Sequence, residues 1–336
     1  MHADTIQVAD SPAVPGLVFR RFRGPADYPG MAAVIQASGD ADKLERADTA
    51  EDIARAYAHL SDCDPYQDML FAEVDGQIIG YQRGFWWEEE NGPRIYGFVG
   101  FLAPAWRRQG IGRAMLRWME QRLREIAAGH PADRPAFFQA WVSEFEVGLI
   151  ALLTHEGYEP IRYGFEMVRP TLDDIPDFPL PEGLEVRPVL PEHYRAIWEA
   201  DVEAFRDHWG YSPPDEDDYQ AWLDNKTIFK PHLWQIAWDV ATNQVAGQVR
   251  TFIDEAQNEK YQRRRGWTEF ISVRRPWRRR GLARALIVRS LRVQKEHGIA
   301  ESALGVDSQN LSGALRVYED CGFRVVRRSI GFRKPL

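Results

Sequence analysis

One stretch decides the fold: Glu269-Phe-Ile-Ser-Val-Arg-Arg-Pro-Trp-Arg-Arg-Arg-Gly-Leu-Ala-Arg-Ala-Leu286. It begins as a buried strand that ends at Val273, passes through an arginine-rich turn, and continues after Gly281 as a helix. The first backbone N–H groups of a helix have no intrahelical acceptor, and a glycine leaves them accessible to a ligand. The stretch therefore predicts an anion-binding turn that suits a diphosphate.

The same pattern occurs earlier in the chain. It reads Phe98-Val-Gly-Phe-Leu-Ala-Pro-Ala-Trp-Arg-Arg-Gln-Gly-Ile-Gly-Arg-Ala-Met-Leu116. A repeat this long indicates a duplicated domain rather than a solenoid. The matching residues, all 171 positions apart, are Trp106 and Trp277, Arg107 and Arg278, Gly110 and Gly281, and Arg113 and Arg284.

The repeat and the local composition together predict the domain boundaries. We expect a first domain over residues 1–170 and a second over residues 183–336, each ending just after an equivalent strand. Proline and aspartate are frequent in residues 171–182. This composition favours an extended linker.

Composition limits the class of protein. With 44% hydrophobic residues over 336 positions, the chain can fill two ordinary cores. Cys63 and Cys321 lie in different halves and form no disulfide framework, which suits a reducing compartment. The chain begins without the pattern of a secretory leader, and no apolar run approaches the ~18 residues that a membrane span needs. We expect a cytoplasmic protein without a membrane partner, either a monomer or a homodimer.

The net charge of −8 argues against nucleic acid as a partner, unless the basic residues gather on one face. Some do gather near the predicted turn, at Arg263–Arg265, Arg274, Arg275 and Arg278–Arg280. Around a diphosphate these arginines would contact phosphate groups. A solvated basic turn explains Arg263–Arg265 equally well.

The turn Arg278-x-x-Gly281-x-Ala283 resembles the acetyl-CoA pyrophosphate loop of the GNAT-type N-acetyltransferase superfamily. A second stretch, Val306-Asp-Ser-Gln-Asn310 followed by Tyr318, resembles the carboxy-terminal motif of that superfamily. The resemblance implies an α/β fold with a mixed α+β sheet in two tandem acyl-CoA N-acyltransferase domains. It also implies acetyl-CoA as cosubstrate, an amine acceptor, and no metal. The tandem arrangement is similar to that of mycothiol synthases.

The resemblance implies a catalytic role for Tyr318 as general acid. Glu269 lies four residues before Val273, so the two-residue period of a strand places both on one face, and Glu269 is the candidate base that takes the amine proton. Core packing of the tyrosine and a simple carboxylate at the rim are the alternatives. For Asn310, a bond to the pantetheine arm and a cap on the next helix are both open. The implied cofactor-binding residues are Ser272, Val273, Arg278, Arg279, Arg280, Gly281, Leu282, Ala283, Arg284, Asn310 and Tyr318.

The first half departs from the motif at these positions. Phe145 stands where the second half has Asn310, Leu153 replaces Tyr318, and Phe98 replaces Glu269. We therefore expect a degenerate, non-catalytic first domain. Vestigial cofactor binding there would involve Leu102, Arg107, Gly110 and Gly112, although the same glycines also suit tight packing alone.

The candidate acceptor residues lie in the segment 204–219 of the second half. The acids Asp215–Asp218, with Trp209 and Tyr211 nearby, suit a cationic amine, and they equally suit a solvated turn that begins a helix. His208 is a further candidate base. The pattern favours acetylation of a primary amine of a small molecule, a peptide N-terminus or a lysine by direct attack. The alternatives are a cysteinyl amine, as in mycothiol synthases, and a CoA-binding sensory module without catalysis.

Overall fold

The structure, a computed structural model, describes residues 4–309 and 313–336. These residues form two compact units. The first unit extends to Ile161 and also contains Ile330–Leu336, and the second unit is Arg162–Ser329. The predicted boundaries at residues 170 and 183 follow the sequence repeat, whereas the compact units do not. The difference arises because both unit boundaries fall inside a strand: residues 162–169 of the first half belong to the second unit, and Ile330–Leu336 of the second half belong to the first.

The first unit contains a mixed sheet and helices on it. Its strands are β1 (Thr5–Ile6), β2 (Leu17–Arg20), β3 (Met69–Val74), β4 (Gln77–Glu88), β5 (Arg94–Leu102) and β6 (Ala136–Ser143). Its helices are α1 (Tyr28–Ala41), α2 (Ala50–Tyr57), α3 (Ile111–Ala127) and α4 (Val147–His155). The strands are neighbours in this order, antiparallel except for the parallel pair β5 and β6.

The second unit repeats this arrangement. Strand β7 (Glu159–Arg169) begins in the first unit and belongs to the second from Arg162 onward. The other strands of the second unit are β8 (Leu184–Val186), β9 (Gln235–Asp239), β10 (Val245–Phe252), β11 (Arg265–Val273) and β12 (Glu301–Asp307). Its helices are α5 (Tyr194–Phe205), α6 (Glu216–Asp224), α7 (Glu255–Lys260), α8 (Leu282–Glu296) and α9 (Ala314–Asp320). The strand order is β7, β12, β11, β10, β9, β8, with β11 and β12 parallel.

The final strand, β13 (Arg324–Pro335), is divided between the units. Its first half neighbours β7 in the second unit, where Arg327 pairs with Glu166 at 2.5 Å. Its second half neighbours β6 in the first unit, where Arg333 donates to Gln139 at 2.6 Å. The sequence repeat thus predicts that each half ends in a strand, and tertiary pairing decides which sheet the strand joins.

Helix α8 illustrates how the sequence positions the predicted turn. Leu282 and Leu286 lie one helical turn apart and are fully buried with Leu304 of β12 in one core. This packing fixes the beginning of α8 against the sheet. The predicted helix from Gly281 to about residue 295 and the α/β fold with a mixed sheet are confirmed. Within the described residues, no helix is both long and apolar enough to cross a membrane.

Candidate active site

The predicted anion-binding turn connects β11 to α8. Arg279 and Gly281 both adopt left-handed backbone conformations, with φ of 61° and 87°. Among the described residues, no group beyond its chain neighbours lies within 4 Å of the place that a Cβ atom on Gly281 would occupy. The space over Gly281 is therefore open at the start of α8, where the first N–H groups have no intrahelical acceptor. This geometry fits a diphosphate, and Leu282 and Ala283 provide the first of these donors.

Arg278 is bonded to the protein itself. Its Nε donates to the carbonyl of Val273 at 2.9 Å, and Nη2 donates to the carbonyl of Ala204 at 3.1 Å. Nη1 pairs with Asp207 at 2.6 Å. Arg278 thus holds the turn against the end of α5, and Asp207 balances much of its charge.

The neighbouring arginines also have partners in the structure. Arg280 donates to the carbonyl of Glu182 at 2.8 Å, and Arg284 pairs with the Asp320 carboxylate of α9. Arg279 is exposed at the tip of the turn. A phosphate bound here would therefore compete with existing ion pairs for Arg284, whereas the backbone donors of the turn need no such exchange.

A β-bulge interrupts β11 just before the turn. Gln248 of β10 is paired with Ser272, and Arg250 is paired with Glu269, so β11 contains one more residue than β10 between these pairs. Phe270, the residue after Glu269, has a φ of 50°. Such a conformation is rare for a bulky side chain. The bulge takes Glu269 out of the regular alternation of the strand.

The contact between β11 and β12 changes along the strands from backbone pairing to a side-chain hydrogen bond. Backbone pairing covers residues 265–267 of β11. Farther along, the N–H of Gly305 in β12 donates to Glu269 Oε1 at 2.7 Å. A side-chain carboxylate thus takes the place of a strand carbonyl where the two strands separate.

The end of β11 presents a backbone donor on the same side. The N–H of Arg274 donates to the carbonyl of Ala246 in β10 at 3.0 Å. Because donors alternate between the two edges of a strand, the N–H of Val273 faces the other edge, toward β12. The N–H of Val273 and the carboxylate of Glu269 therefore border the same opening between the strands.

Burial and nearby charge raise the pKa of both Glu269 and Tyr318. Burial raises the pKa of Glu269 to about 7, the Gly305 N–H opposes that rise, and the charge of Glu166 adds to it. Tyr318 is 7% exposed, and its pKa is raised first by burial and then by the charge of Glu269. A carboxyl group with a pKa near 7 suits a general base, and the raised pKa of Tyr318 keeps the phenol protonated, as a general acid must be before the reaction.

Two segments of the chain, residues 37–131 and 194–323, match the acetyltransferase (GNAT) family. These segments cover more than half of the chain and include both turns. The chain belongs to the GNAT acetyltransferase family. Its two family regions confirm the tandem organisation inferred from the repeat, and they make the protein an acetyl-transferring enzyme of a family that uses acetyl-CoA.

Relatives and solved structures of similar length agree with this assignment. A mycothiol acetyltransferase of Geodermatophilus obscurus is 28% identical over 312 residues, which cover 88% of this chain and 92% of that protein. A GCN5-related N-acetyltransferase of Sphaerobacter thermophilus has a TM-score of 0.71 and 27% identity, with 95% of each chain covered. A tandem GNAT protein from the clavulanic acid biosynthesis pathway has a TM-score of 0.66 at 17% identity, with 95% of this chain and 98% of that chain covered, and shows the shared fold alone.

The acids predicted to bind a cationic acceptor have other partners in this GNAT protein. Asp215 and Asp218 form the capping box at the start of α6. Glu216 pairs with Arg195 at 2.7 Å. The structure thus favours the alternative of an acidic turn that begins a helix, at least for these three residues.

Trp209 and His208, also predicted near the acceptor, have contacts with other side chains. Trp209 lies 5.0 Å from the guanidinium carbon of Arg162 in a cation–π contact. His208 is half-buried against the ring of Phe205, and burial lowers its pKa. Asn310 lies outside the described residues.

The bulge and the buried residue Asp201 of α5 were missed by the sequence reasoning. Asp201 accepts hydrogen bonds from Ser272 and Gln248 on the two strands that form the bulge. A signal was present, because Asp201 follows Ile197 by four residues and so falls on the apolar face of α5. The bulge had no such signal, since no local pattern marks Phe270.

The first unit has the corresponding turn at Gly110, and Pro12 lies over it. Gly110 has a φ of 86°, and a Cβ there would lie 3.3 Å from the Cβ of Pro12. Arg107 pairs with Asp42 at 2.7 Å and donates to the Leu102 carbonyl at 3.2 Å, as Arg278 does in the second unit. Gly112, the second glycine of this turn, has only ordinary contacts with leucine side chains.

The reactive positions of the first unit are apolar. Phe98 and Leu153, which correspond to Glu269 and Tyr318, are buried in one core with Tyr158. Pairing of β4 with β5 runs without interruption from Gly80 to Glu88, so the bulge is missing as well. Phe145 is exposed at the position that corresponds to Asn310.

Proposed function

We propose that the second unit transfers the acetyl group of acetyl-CoA to the primary amine of a small molecule. The observation that carries the proposal is the coincidence of three features in that unit: the open turn at Gly281, the bulge beside Glu269, and the buried Tyr318. The first unit has a turn that is covered and lacks the other two features. We propose that it is non-catalytic and supports the fold.

Acetyl-CoA would bind along the turn and the opening between β11 and β12. The N–H groups at the start of α8 would bind the diphosphate, with Arg279 at the tip adding charge. Ser272 and Val273 would border the pantetheine and thioester. Asn310, which lies outside the described residues, is the residue that we propose for the pantetheine arm. The proposed contacts at the diphosphate come from Arg278, Arg279, Arg280, Gly281, Leu282, Ala283 and Arg284.

The chemical step would be direct attack by the amine on the thioester. The amine nitrogen forms a bond to the carbonyl carbon while the N–H of Val273 donates to the carbonyl oxygen. Glu269 takes the proton that the nitrogen loses, directly or through one water. The C–S bond breaks, and the Tyr318 hydroxyl gives its proton to the departing sulfur. The products are an amide and free CoA thiol.

A second candidate acceptor is the cysteinyl amine of a thiol precursor. The supporting observation is that the relatives in Geodermatophilus obscurus and Salinispora tropica, which match 88% and 87% of this chain, are named mycothiol acetyltransferases. A shared fold does not by itself carry a shared acceptor, so the cysteinyl amine is tested beside the other amines.

The test is a screen of amines that measures release of CoA thiol by the full-length protein. The panel should contain simple alkyl amines, amino sugars, peptides with free N-termini and lysine, and cysteinyl amides. We expect turnover with a subset of these amines and its loss in Glu269→Gln and Tyr318→Phe. Binding of acetyl-CoA by calorimetry without turnover on any of these amines would instead support the CoA-binding sensory module.

A further inference from the structure

The carboxylate of Asp201 joins α5 to the two strands that form the bulge. Its side chain is 13% exposed. Oδ1 accepts a hydrogen bond from the hydroxyl of Ser272 at 2.8 Å and another from Nε2 of Gln248 at 3.1 Å. Oδ2 pairs with Nη2 of Arg250, whose side chain is 3% exposed. A buried carboxylate with three donors is fixed in place more firmly than any exposed ion pair.

The three partners of Asp201 are the residues that define the bulge. The cross-strand pairs on its two sides are Gln248 with Ser272 and Arg250 with Glu269. Asp201 therefore bonds to three of these four residues, and the fourth is the proposed base.

Arg250 extends the same cluster to the strained residue of the bulge. Its guanidinium carbon lies 4.3 Å from the ring centroid of Phe270 and 5.2 Å from that of Trp222. Phe270 has a φ of 50°, which a bulky residue keeps only when its surroundings impose it. The ion pair with Asp201 holds Arg250 on the Phe270 ring and so contributes that restraint.

The first unit provides an internal comparison. Short 3-10 helices, Pro25–Asp27 and Pro191–His193, precede α1 and α5. They align at an offset of 166, which places Ile35 at the position of Asp201. Tyr81 and Phe101, paired across β4 and β5, stand where the second unit has Gln248 and Ser272, and their rings are 5.4 Å apart. Ile35, Tyr81 and Phe101 thus replace Asp201, Gln248 and Ser272, whereas Arg83 stands at the position of Arg250, and the strand pairing there is regular.

We propose that Asp201 is a positioning residue that maintains the β11 bulge and thereby the placement of Glu269 and of the Val273 N–H. The inference rests on the proposed function for its catalytic consequence, and on the structure alone for its geometric one. The hydrogen-bond and ion-pair partners named for Asp201 are side chains of this protein. Asp201 acts through Ser272, Gln248 and Arg250, whose positions determine the path of β11.

The geometric test is a crystal structure of Asp201→Asn and of the milder variant Ser272→Ala. In Asp201→Asn we expect Phe270 to leave the left-handed region and the bond between Glu269 and the Gly305 N–H to break. Ser272→Ala should lengthen that bond with the fold intact. If both variants keep the φ of Phe270 and the Glu269 bond, Asp201 has no positioning role. This test gives an answer even if no amine is acetylated.

The catalytic test compares kcat and the acetyl-CoA dissociation constant on an amine that the wild type acetylates. For Asp201→Asn we expect kcat to fall by about 10-fold to 100-fold, because a displacement on the order of 1 Å can cost 10²-fold. Acetyl-CoA affinity should change by less than about threefold, because the diphosphate donors belong to α8. The pH at which kcat/KM is half-maximal should also shift with the surroundings of Glu269.

Ser290→Ala is the matched control. Ser290 is fully buried in α8 and bonds to Thr268 of β11 at 3.2 Å, so its loss also removes a buried hydrogen bond. We expect a lower Tm with unchanged kcat and pH profile. If Asp201→Asn behaves like Ser290→Ala in all three measurements, its role is purely structural and the proposal is wrong.

Discussion

The two turns of this GNAT protein have the same backbone and different surroundings. Arg108 and Gly110 in the first unit have φ of 64° and 86°, and Arg279 and Gly281 in the second have 61° and 87°. Arg107 and Arg278 even make the same bonds to a strand carbonyl and to an aspartate. The turn is thus a feature of the fold that both units share.

What distinguishes the units lies around the turn. In the first unit Pro12 approaches Gly110, whereas the space over Gly281 is open. The first unit has regular strands with Phe98 and Leu153, and the second has a bulge with Glu269 and Tyr318. The backbone of the turn is therefore common to both units, and the neighbouring strand is where they differ.

The largest expected effect comes from closing the open turn. Gly281→Val should abolish saturable acetyl-CoA binding and with it all turnover, because valine strongly disfavours a φ of 87° and its side chain fills the space over the N–H groups. Isothermal titration calorimetry measures the loss. The wild type should saturate at one equivalent per chain.

Gly110→Val is the matched control for that change. It places the same strain in the first unit and should lower the Tm without altering acetyl-CoA binding. Saturation of the wild type at two equivalents of equal affinity would show that both turns bind the cofactor. Unchanged binding in Gly281→Val would remove the assignment of the turn in the second unit.

Tyr318→Phe should have the next largest effect. The phenyl ring retains the packing, while loss of the hydroxyl removes the proton donor for the thiolate, so kcat should fall by about 10²-fold to 10⁴-fold. Acetyl-CoA affinity should stay nearly constant, since the acid acts in the transition state. Leu153→Met, at the corresponding position in the first unit, should leave kcat unchanged. Wild-type turnover in Tyr318→Phe would reduce the tyrosine to a packing residue.

Glu269 predicts a specific pH dependence. Burial raises its pKa to about 7, and a base must be ionised to accept a proton, so kcat/KM should rise with pH through about 7 and be lost below it. The pH profile of kcat/KM is measured with two acceptors whose amines differ in pKa. A limb of the profile that comes from Glu269 lies at the same pH with both acceptors, whereas a limb that comes from the amine moves with the acceptor. In Glu269→Gln that limb should vanish with a loss of about 10²-fold. A common limb that persists in Glu269→Gln would assign it to another group.

The sequence predicted the fold and the turn because both depend on local patterns. The helix after Gly281 and the strand before it follow from periodicity, and the repeat shows each twice. Helix α7, in contrast, was missed, since its six residues, five of them polar, show no apolar period and are capped by Asp254. The bulge at Phe270 and the exchange of last strands depend on pairing with distant residues, which local patterns do not encode.

The smallest expected effect concerns residues 8–12, the segment that contains Pro12 and covers the turn at Gly110. Asp10 pairs with Arg117 at 2.8 Å, but both side chains are about half exposed, so the pair contributes less than ~1 kcal/mol. Val8 is buried and anchors the segment more firmly.

In the double variant Asp10→Ala with Pro12→Gly, we expect the Tm to change little and a second, weaker acetyl-CoA equivalent to appear in titration. Because the turn at Gly110 already has the backbone of its counterpart, uncovering it should restore diphosphate contact without restoring catalysis. If no second equivalent appears, the covering segment is not what closes the first turn, and the missing bulge must account for the loss of binding as well as of chemistry.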